Sequence, residues 1–314
     1  MIEYLTTVGT LTGIFAIAGA GLNITLGYAG VFSAAQAVFV GIGAYTTALL
    51  GPRVDGSFLV CALVGTGLAM VAAIALASTG LRVSDEYFIV ASLAFQIIIS
   101  TVFASWYSVT KGADGISGVP YPQVFGIELG THGAGSALVW TIAILVVALT
   151  AVLRRGAAGR LFFAIREDPV ATETLGRSPV VGKYAAIVLG AGVSALGGVL
   201  YAFYTGFVNA PTFGYSLSIE LVAIVVVGGI GLSIGPIIGG AIIVAAIPLI
   251  SLLDLPSTVV GPLQQLVYGA LIIAVVVLRG YFSAGSALRG RMVRRLKEMR
   301  PEPSGPASGG KVTS

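Results

Sequence analysis

Four polar side chains stand inside otherwise apolar stretches: Asn23, Gln36, Gln96 and Glu220. A polar group in hydrocarbon is costly and is by default a functional candidate. Their chemistry is that of binding. The amides of Asn23 and Gln36 flank a tight turn, GYAGVF, where they either satisfy broken backbone, bridge helices or contact a zwitterion. Glu220 opens a helical stretch two residues after Ser218, where its charge suits the positive helix N-terminus, so capping and ligand binding are both open to it. Catalysis is poorly served. His132 is the only histidine and Cys61 the only cysteine, so a His-based triad, a metal set and a disulfide framework all lack partners. GGKVT at 309–313 fails as a phosphate-binding loop, because Val312 follows the lysine and no strand precedes it. The chain is expected to be no enzyme and to hold no metal or cofactor of its own. With no Lys or Arg at span centres and one carboxylate near a span edge, neither a voltage sensor nor a proton relay is supported.

A second candidate is the segment 154–183, RRGAAGRLFFAIREDPVATETLGRSPVVGK, the charge-dense interior stretch of an oily chain. Arg154, Arg155, Arg160, Arg166, Arg177 and Lys183 lie there beside Glu167, Asp168 and Glu173. Such a loop between apolar runs is either a docking surface or a topological stop. Its interior predicts a short amphipathic helix over 167–176. Glu167 and Asp168 form its acidic first turn, Pro169 sits where a missing N–H costs nothing, and Gly176 ends it.

The elements that must position these residues follow from composition. Of 314 residues, 56% are hydrophobic and 10% charged, with mean hydropathy +0.99. A soluble domain carries about a quarter charged residues, so this surface faces lipid. The net charge of +4 does not imply nucleic acid, since the basic residues gather in loops and tail. Apolar runs place spans near 8–26, 32–50, 58–79, 87–106, 138–153, 184–205, across 219–250 and at 263–279. The start lacks a basic n-region and reads as an uncleaved first span. The connection 107–137 is rich in glycine, proline and polar residues and predicts a structured cap. The tail 281–314 is basic at first and then Pro-, Gly- and Ser-rich, which predicts disorder.

Of 17 basic residues, six lie in 154–183 and eight in 279–314, so both segments are expected in the cytoplasm. An even number of crossings then separates them, and 219–250 must cross twice or re-enter. Its residues agree: GGIGLSIGP interrupts the helix, with the turn expected near Gly231–Gly235 and Pro236 beyond it. Gly231, Gly235 and Gly239 recur every four residues, a smooth strip for close helix approach. Counting back places the N-terminus and the 107–137 cap outside.

Five collinear stretches carry a resemblance: LNITLGYAGVFSAAQAVFVGIGAY at 22–45, GADGISGVP at 112–120, GRLFFAIREDPVATETLG at 159–176, FGYSLSIELVAIVVVGGIGLSIGPIIGG at 213–240 and LQQLVYGALIIAVVVLRG at 263–280. The chain resembles the permeases of branched-chain amino acid ABC importers, the Liv family, and its M-type member more than its H-type. That resemblance implies an all-α polytopic membrane protein of about 8–10 transmembrane helices with a broken or re-entrant segment. It implies a permease domain over 1–280, a coupling loop at 154–183, and a bacterial inner-membrane location. It also implies a second permease, two ATPase subunits that hold ATP and Mg, and an extracytoplasmic binding protein. Arg166, Glu167 and Asp168 match the R-E-D of Liv-type coupling loops. Val170, Ala171 and Thr172 occupy the E-A-A positions of the general motif, whose glutamate is missing here, and Gly176 is its glycine. Arg279–Gly280 departs from the Arg-Pro of many relatives. Branched-chain amino acids are the expected cargo, with urea, short amides or aromatic acids as the alternative. A channel would need selectivity and gating groups that are not visible, and a passive scaffold is disfavoured by the broken 219–250 segment.

Overall fold

The computed structural model describes residues 2–80, 85–124, 126–130, 132–251, 262–275 and 277. The expectations for 281–314 and Arg279–Gly280 lie outside these residues. One compact unit covers Met1–Ile272; of the second, Ile273–Ser314, only the end of one helix is described.

The chain is all-α. Helix α1 (Ile2–Leu22) continues as a π-helical turn over Asn23–Tyr28, and α2 (Gln36–Leu50) follows. Then come α3 (Phe58–Gly80), α4 (Asp85–Ser105), the short α5 (Tyr107–Thr110) and α6 (His132–Arg155). Next are α7 (Ala157–Glu167), α8 (Pro169–Thr174), α9 (Pro179–Thr205), α10 (Tyr215–Gly228), α11 (Gly235–Ser251) and α12 (Pro262–Val275). Among the described residues, five helices are long and apolar enough to cross a membrane: Thr6–Tyr28, Phe58–Ser78, Glu86–Ser105, Gly133–Arg155 and Pro179–Thr205. With the shorter apolar helices α2, α10, α11 and α12, they agree with the expected eight to ten.

The bundle has two ends. The cap end holds α5 and two small two-stranded pairings: β1 (Ile116–Ser117) with β4 (Phe207–Val208), and β2 (Gln123–Val124) with β3 (Ile127–Glu128). The loop end holds α7 and α8. Helix α1 starts beside the cap end, where Thr10 meets Ser136 of α6, and ends against Arg166 of α7.

Burial separates an inner from an outer shell. The spans of α1 and α9 are 72% buried, whereas those of α3, α4 and α6 are 28%, 22% and 22% buried. Small residues explain the inner position. A side chain at Gly198 of α9 would strike the carbonyl of Val40 on α2, and one at Gly43 of α2 would strike that of Ala195. Gly197 sits equally close to Ile14 and Ala18 of α1. Without a hydrophobic force between helices in lipid, such close backbone approach is what holds them.

Two of the inner helices are half-length. At 15 and 14 residues, α2 and α10 rise about 22 and 21 Å, short of the roughly 30 Å hydrocarbon core. Helix α2 begins beside Ser194, midway along α9, and leads to Gly51, which meets Pro120 of the cap. Helix α10 begins beside the start of α2 and ends at the loop end, next to Gly27. Irregular segments lead into both, 29–35 before α2 and 206–214, with a 3-10 turn at Pro211–Phe213, before α10. The expected span 32–50 is therefore part irregular chain and part helix.

The small-residue contacts predict a sharp contrast. Gly198→Leu should lower the midpoint of thermal unfolding in detergent, overpacking costing about 1–3 kcal/mol. Gly67→Ala, on α3 with open space around it, should leave the midpoint unchanged. Equal behaviour of the two would contradict the inner-shell assignment.

Candidate functional site

The two half-helices meet end to end. An open helix start leaves amide groups without acceptors, a severe cost where no water is present. Here side chains supply the acceptors. The Ala37 amide donates to Ser218 Oγ at 3.0 Å, and the Val38 amide to Gln96 Oε1 at 3.2 Å. Upstream, the Ala34 amide donates to Ser92 Oγ at 3.0 Å. Gln96 also serves the other half: its Nε2 donates to the Phe213 carbonyl at 3.1 Å, just before α10. Gln36 Nε2 donates to Ser194 Oγ, which donates onward to the Ala18 carbonyl at 2.8 Å. Gln96 of α4 and Ser218 of α10 thus join the starts of α2 and α10.

Glu220 differs from the three amides. It lies in the second turn of α10, within electrostatic reach of Tyr201 and Tyr268, and its Oε1 is buried without a hydrogen-bond partner. The first-turn capping position belongs to Gly214, not to Glu220. Tyr45, packed on Phe103 and Phe213, carries the other buried unpartnered oxygen among the described residues.

At the loop end a second junction forms. The break in 219–250 is the turn 229–234, with Gly229 at φ 111° and Gly231 at φ 82°, conformations that L side chains rarely adopt. Asn23 pins this turn from the π-helical end of α1. Its Oδ1 accepts from the Gly231 amide at 2.8 Å, and its Nδ2 donates to the Leu232 carbonyl at 2.9 Å. Tyr28 adds a hydroxyl contact to Ser233 Oγ at 3.0 Å and packs on the Phe163 ring at 5.4 Å. Gly235 and Gly239 face α10, against Gly228 and the Ile224 carbonyl, while Pro236 lies by Gly19 of α1. The expected strip of three glycines is thus two: Gly231 belongs to the turn.

The charged loop folds as two helices rather than one, a correction to the expected 167–176 helix. The first, α7, buries Gly159, Phe162 and Ile165. Glu167 is its last residue, so it does not join the first turn of the following helix. Arg166 turns inward, donating through Nη1 to the Gly27 carbonyl and lying beside Gly30 and Gly231. Asp168 caps α8, its Oδ1 accepting from the Val170 and Ala171 amides at 2.9 and 3.0 Å. Pro169 is the first helical residue, Thr172 is buried and bonds the Asp168 carbonyl, and Gly176 leaves the helix at φ 77°. Ala171 is exposed.

Sequence reasoning missed the apolar tip of this loop. Val170 is 71% exposed and Leu175 82% exposed, on either side of Ala171. It also missed Tyr28 and the inward course of Arg166. Exposed apolar residues in a charged loop were a readable signal; the course of one arginine was not.

A family model described as branched-chain amino acid transport system / permease component matches residues 4–276. The high-affinity branched-chain amino acid transport system permease protein LivM of Escherichia coli (strain K12) is 30% identical over 262 residues, covering 76% of this chain and 62% of that protein. LivM of Salmonella typhimurium matches to the same extent. The autoinducer 2 import system permease protein LsrC of Escherichia coli O157:H7 is 29% identical over 183 residues, 56% of this chain and 52% of that protein. The chain thus spans less than two thirds of the length of these relatives. No solved structure matches.

The loop-end junction makes a measurable claim. Asn23→Leu removes both contacts to the turn, and each buried group left unpaired costs about 1–3 kcal/mol. Hydrogen exchange at the Gly231 and Leu232 amides should speed up about tenfold or more, with amides in α3 unaffected. Unchanged exchange at the turn would mean that backbone geometry alone holds it.

Proposed function

The chain belongs to the branched-chain amino acid transport system permease family, and on that premise we propose that it is a permease subunit of an ABC importer. It pairs with a second permease, takes its driving force from separate ATPase subunits and receives cargo from an extracytoplasmic binding protein. The single observation that carries this reading is α8: a capped helix that presents Val170 and Leu175 to solvent, next to an arginine reaching the inner helices. An exposed apolar tip of this kind suits a groove on a soluble partner. Arg166 and Phe163 tie the same loop to α1 and to the turn 229–234. A rigid-body movement of the docked partner is thereby passed to both broken segments. The loop and tail are cytoplasmic in this reading, and the membrane is the bacterial inner membrane.

Branched-chain amino acids are the proposed cargo. Asn23, Gln36 and Gln96 spend their amides on backbone and neighbouring hydroxyls, whereas Glu220 keeps an acceptor oxygen free. That oxygen suits the ammonium group of an amino acid admitted beside Tyr201 and Tyr268 within the bundle. A second reading keeps the architecture and changes the cargo to urea, short amides or aromatic acids. The similarity to an autoinducer 2 import permease supports a cargo other than an amino acid in general, without favouring any one of these.

Uptake by the reconstituted complex tests both levels. Leu175→Asp and Val170→Asp should leave the permease pair assembled while lowering coupled uptake about tenfold, the effect of losing an interface anchor. Normal uptake with normal ATPase stimulation by both variants would reduce the loop to a topological stop. Glu220→Gln should depress leucine uptake while the complex and its ATPase activity persist. If the unsubstituted complex carries urea or an aromatic acid but not leucine, the cargo assignment falls and the permease reading stands.

A further inference from the structure

At the loop end an open cleft of about 730 Å³ lies between the end of α6, Phe163 of α7 and the turn 229–234. Its walls divide by chemistry. Val147 and Ala151 of α6, with Leu232 and Ile234 of the turn, form an apolar side; Arg154, Arg155 and Ser233 form the rim. Among the described residues, none that lines it is acidic. Arg154 is steadied over the Phe163 ring, 5.8 Å from its centroid.

Apolar surface is open at the cleft itself: Leu232 and Ile234 of the turn are 44% and 55% exposed, facing Val147 and Ala151 across it. An acyl chain lying between these walls brings its phosphate to the two arginines that end α6. Basic pockets between spans at a membrane surface suit anionic headgroups, a point charge for each arginine and a forked donor pair for phosphate oxygens.

We propose that this cleft is a binding site for one anionic phospholipid, with the phosphate held by Arg154 and Arg155 and a chain along Val147, Ala151 and Ile234. The site needs only that this end lies at a membrane surface, and so is independent of the transport reading. Its second wall is the turn pinned by Asn23 and Tyr28, and its first wall leads into α7 and α8. A bound lipid therefore braces the broken hairpin against the charged loop.

The test uses the full permease complex in nanodiscs of phosphatidylcholine with or without phosphatidylglycerol. Native mass spectrometry should find phosphatidylglycerol retained in preference to phosphatidylcholine. Arg154→Gln/Arg155→Gln should lower that retention about thirtyfold, each arginine near a lipid surface supplying a factor of about five. Arg53→Gln/Lys111→Gln removes the same charge elsewhere and should retain it. Ala151→Trp fills the apolar wall without changing charge and should also expel the lipid. Hydrogen exchange over 232–234 should slow when phosphatidylglycerol is present, and not in the double glutamine variant. Equal retention by wild type and the glutamine pair overturns the proposal, as does equal loss in the Arg53/Lys111 control. Protection of 232–234 by inorganic phosphate that survives Ala151→Trp would also overturn it, in favour of a soluble anion. So would loss of subunit assembly with lipid retention intact, which would make the cleft a protein contact.

Discussion

Every backbone amide that opens a helix inside hydrocarbon needs an acceptor, and no water is there to provide one. The architecture of this chain depends on that requirement being met for α2. Ser92, Gln96 and Ser218 do so from other elements, and Gln36 with Ser194 locks the same region to α1. Because the acceptors come from α4 and α10, this half-helix is a product of the assembled bundle. The two halves also share a plan: a long inner helix, an irregular segment, then a half-helix. They run in opposite directions, so that the half-helix starts face one another. Opposed, discontinuous elements of this type are a recurring solution in membrane transporters.

The loop-end junction rests on the same physics with a different purpose. A π-helical turn, Asn23–Tyr28, reorients the end of α1 so that one amide side chain reaches both a donor and an acceptor of the turn 229–234. Such turns are frequent where a helix does more than pack. Arg166 then joins α7 to the Gly27 carbonyl. A short run of polar contacts thus leads from α7 through Gly27 to the turn 229–234.

Much of this was legible before any coordinates. The deficit of charge announced a membrane protein, Asp168–Pro169 and Gly176 bracketed α8, and the glycines around 229–235 marked the break. What stayed hidden has physical reasons. The helices are apolar on all sides, so periodicity does not say which of them is central; the glycines of α9 and α2 carry that information only once paired. Gln36 and Gln96 offered the same amide to a ligand or to backbone, and residue type alone does not choose. Arg166 sits in a run of charges that read as one exposed group, yet its neighbours Glu167 and Asp168 end one helix and cap the next. The start of α2 at Gln36, rather than near residue 32, follows from acceptors that lie 58 and 181 residues away.

Those separations have a consequence for how the chain is made. A ribosome adding about 5–20 residues per second takes roughly 10–35 seconds to travel from Ala37 to Ser218. For most of that interval the first half-helix is complete while one of its acceptors has yet to be synthesised. The insertion machinery, or water admitted alongside the nascent chain, must shelter that amide until α10 arrives. Biogenesis is thus completed late and from the far half of the sequence. A chain truncated before Ser218 would present the membrane's quality-control proteases with an open helix start.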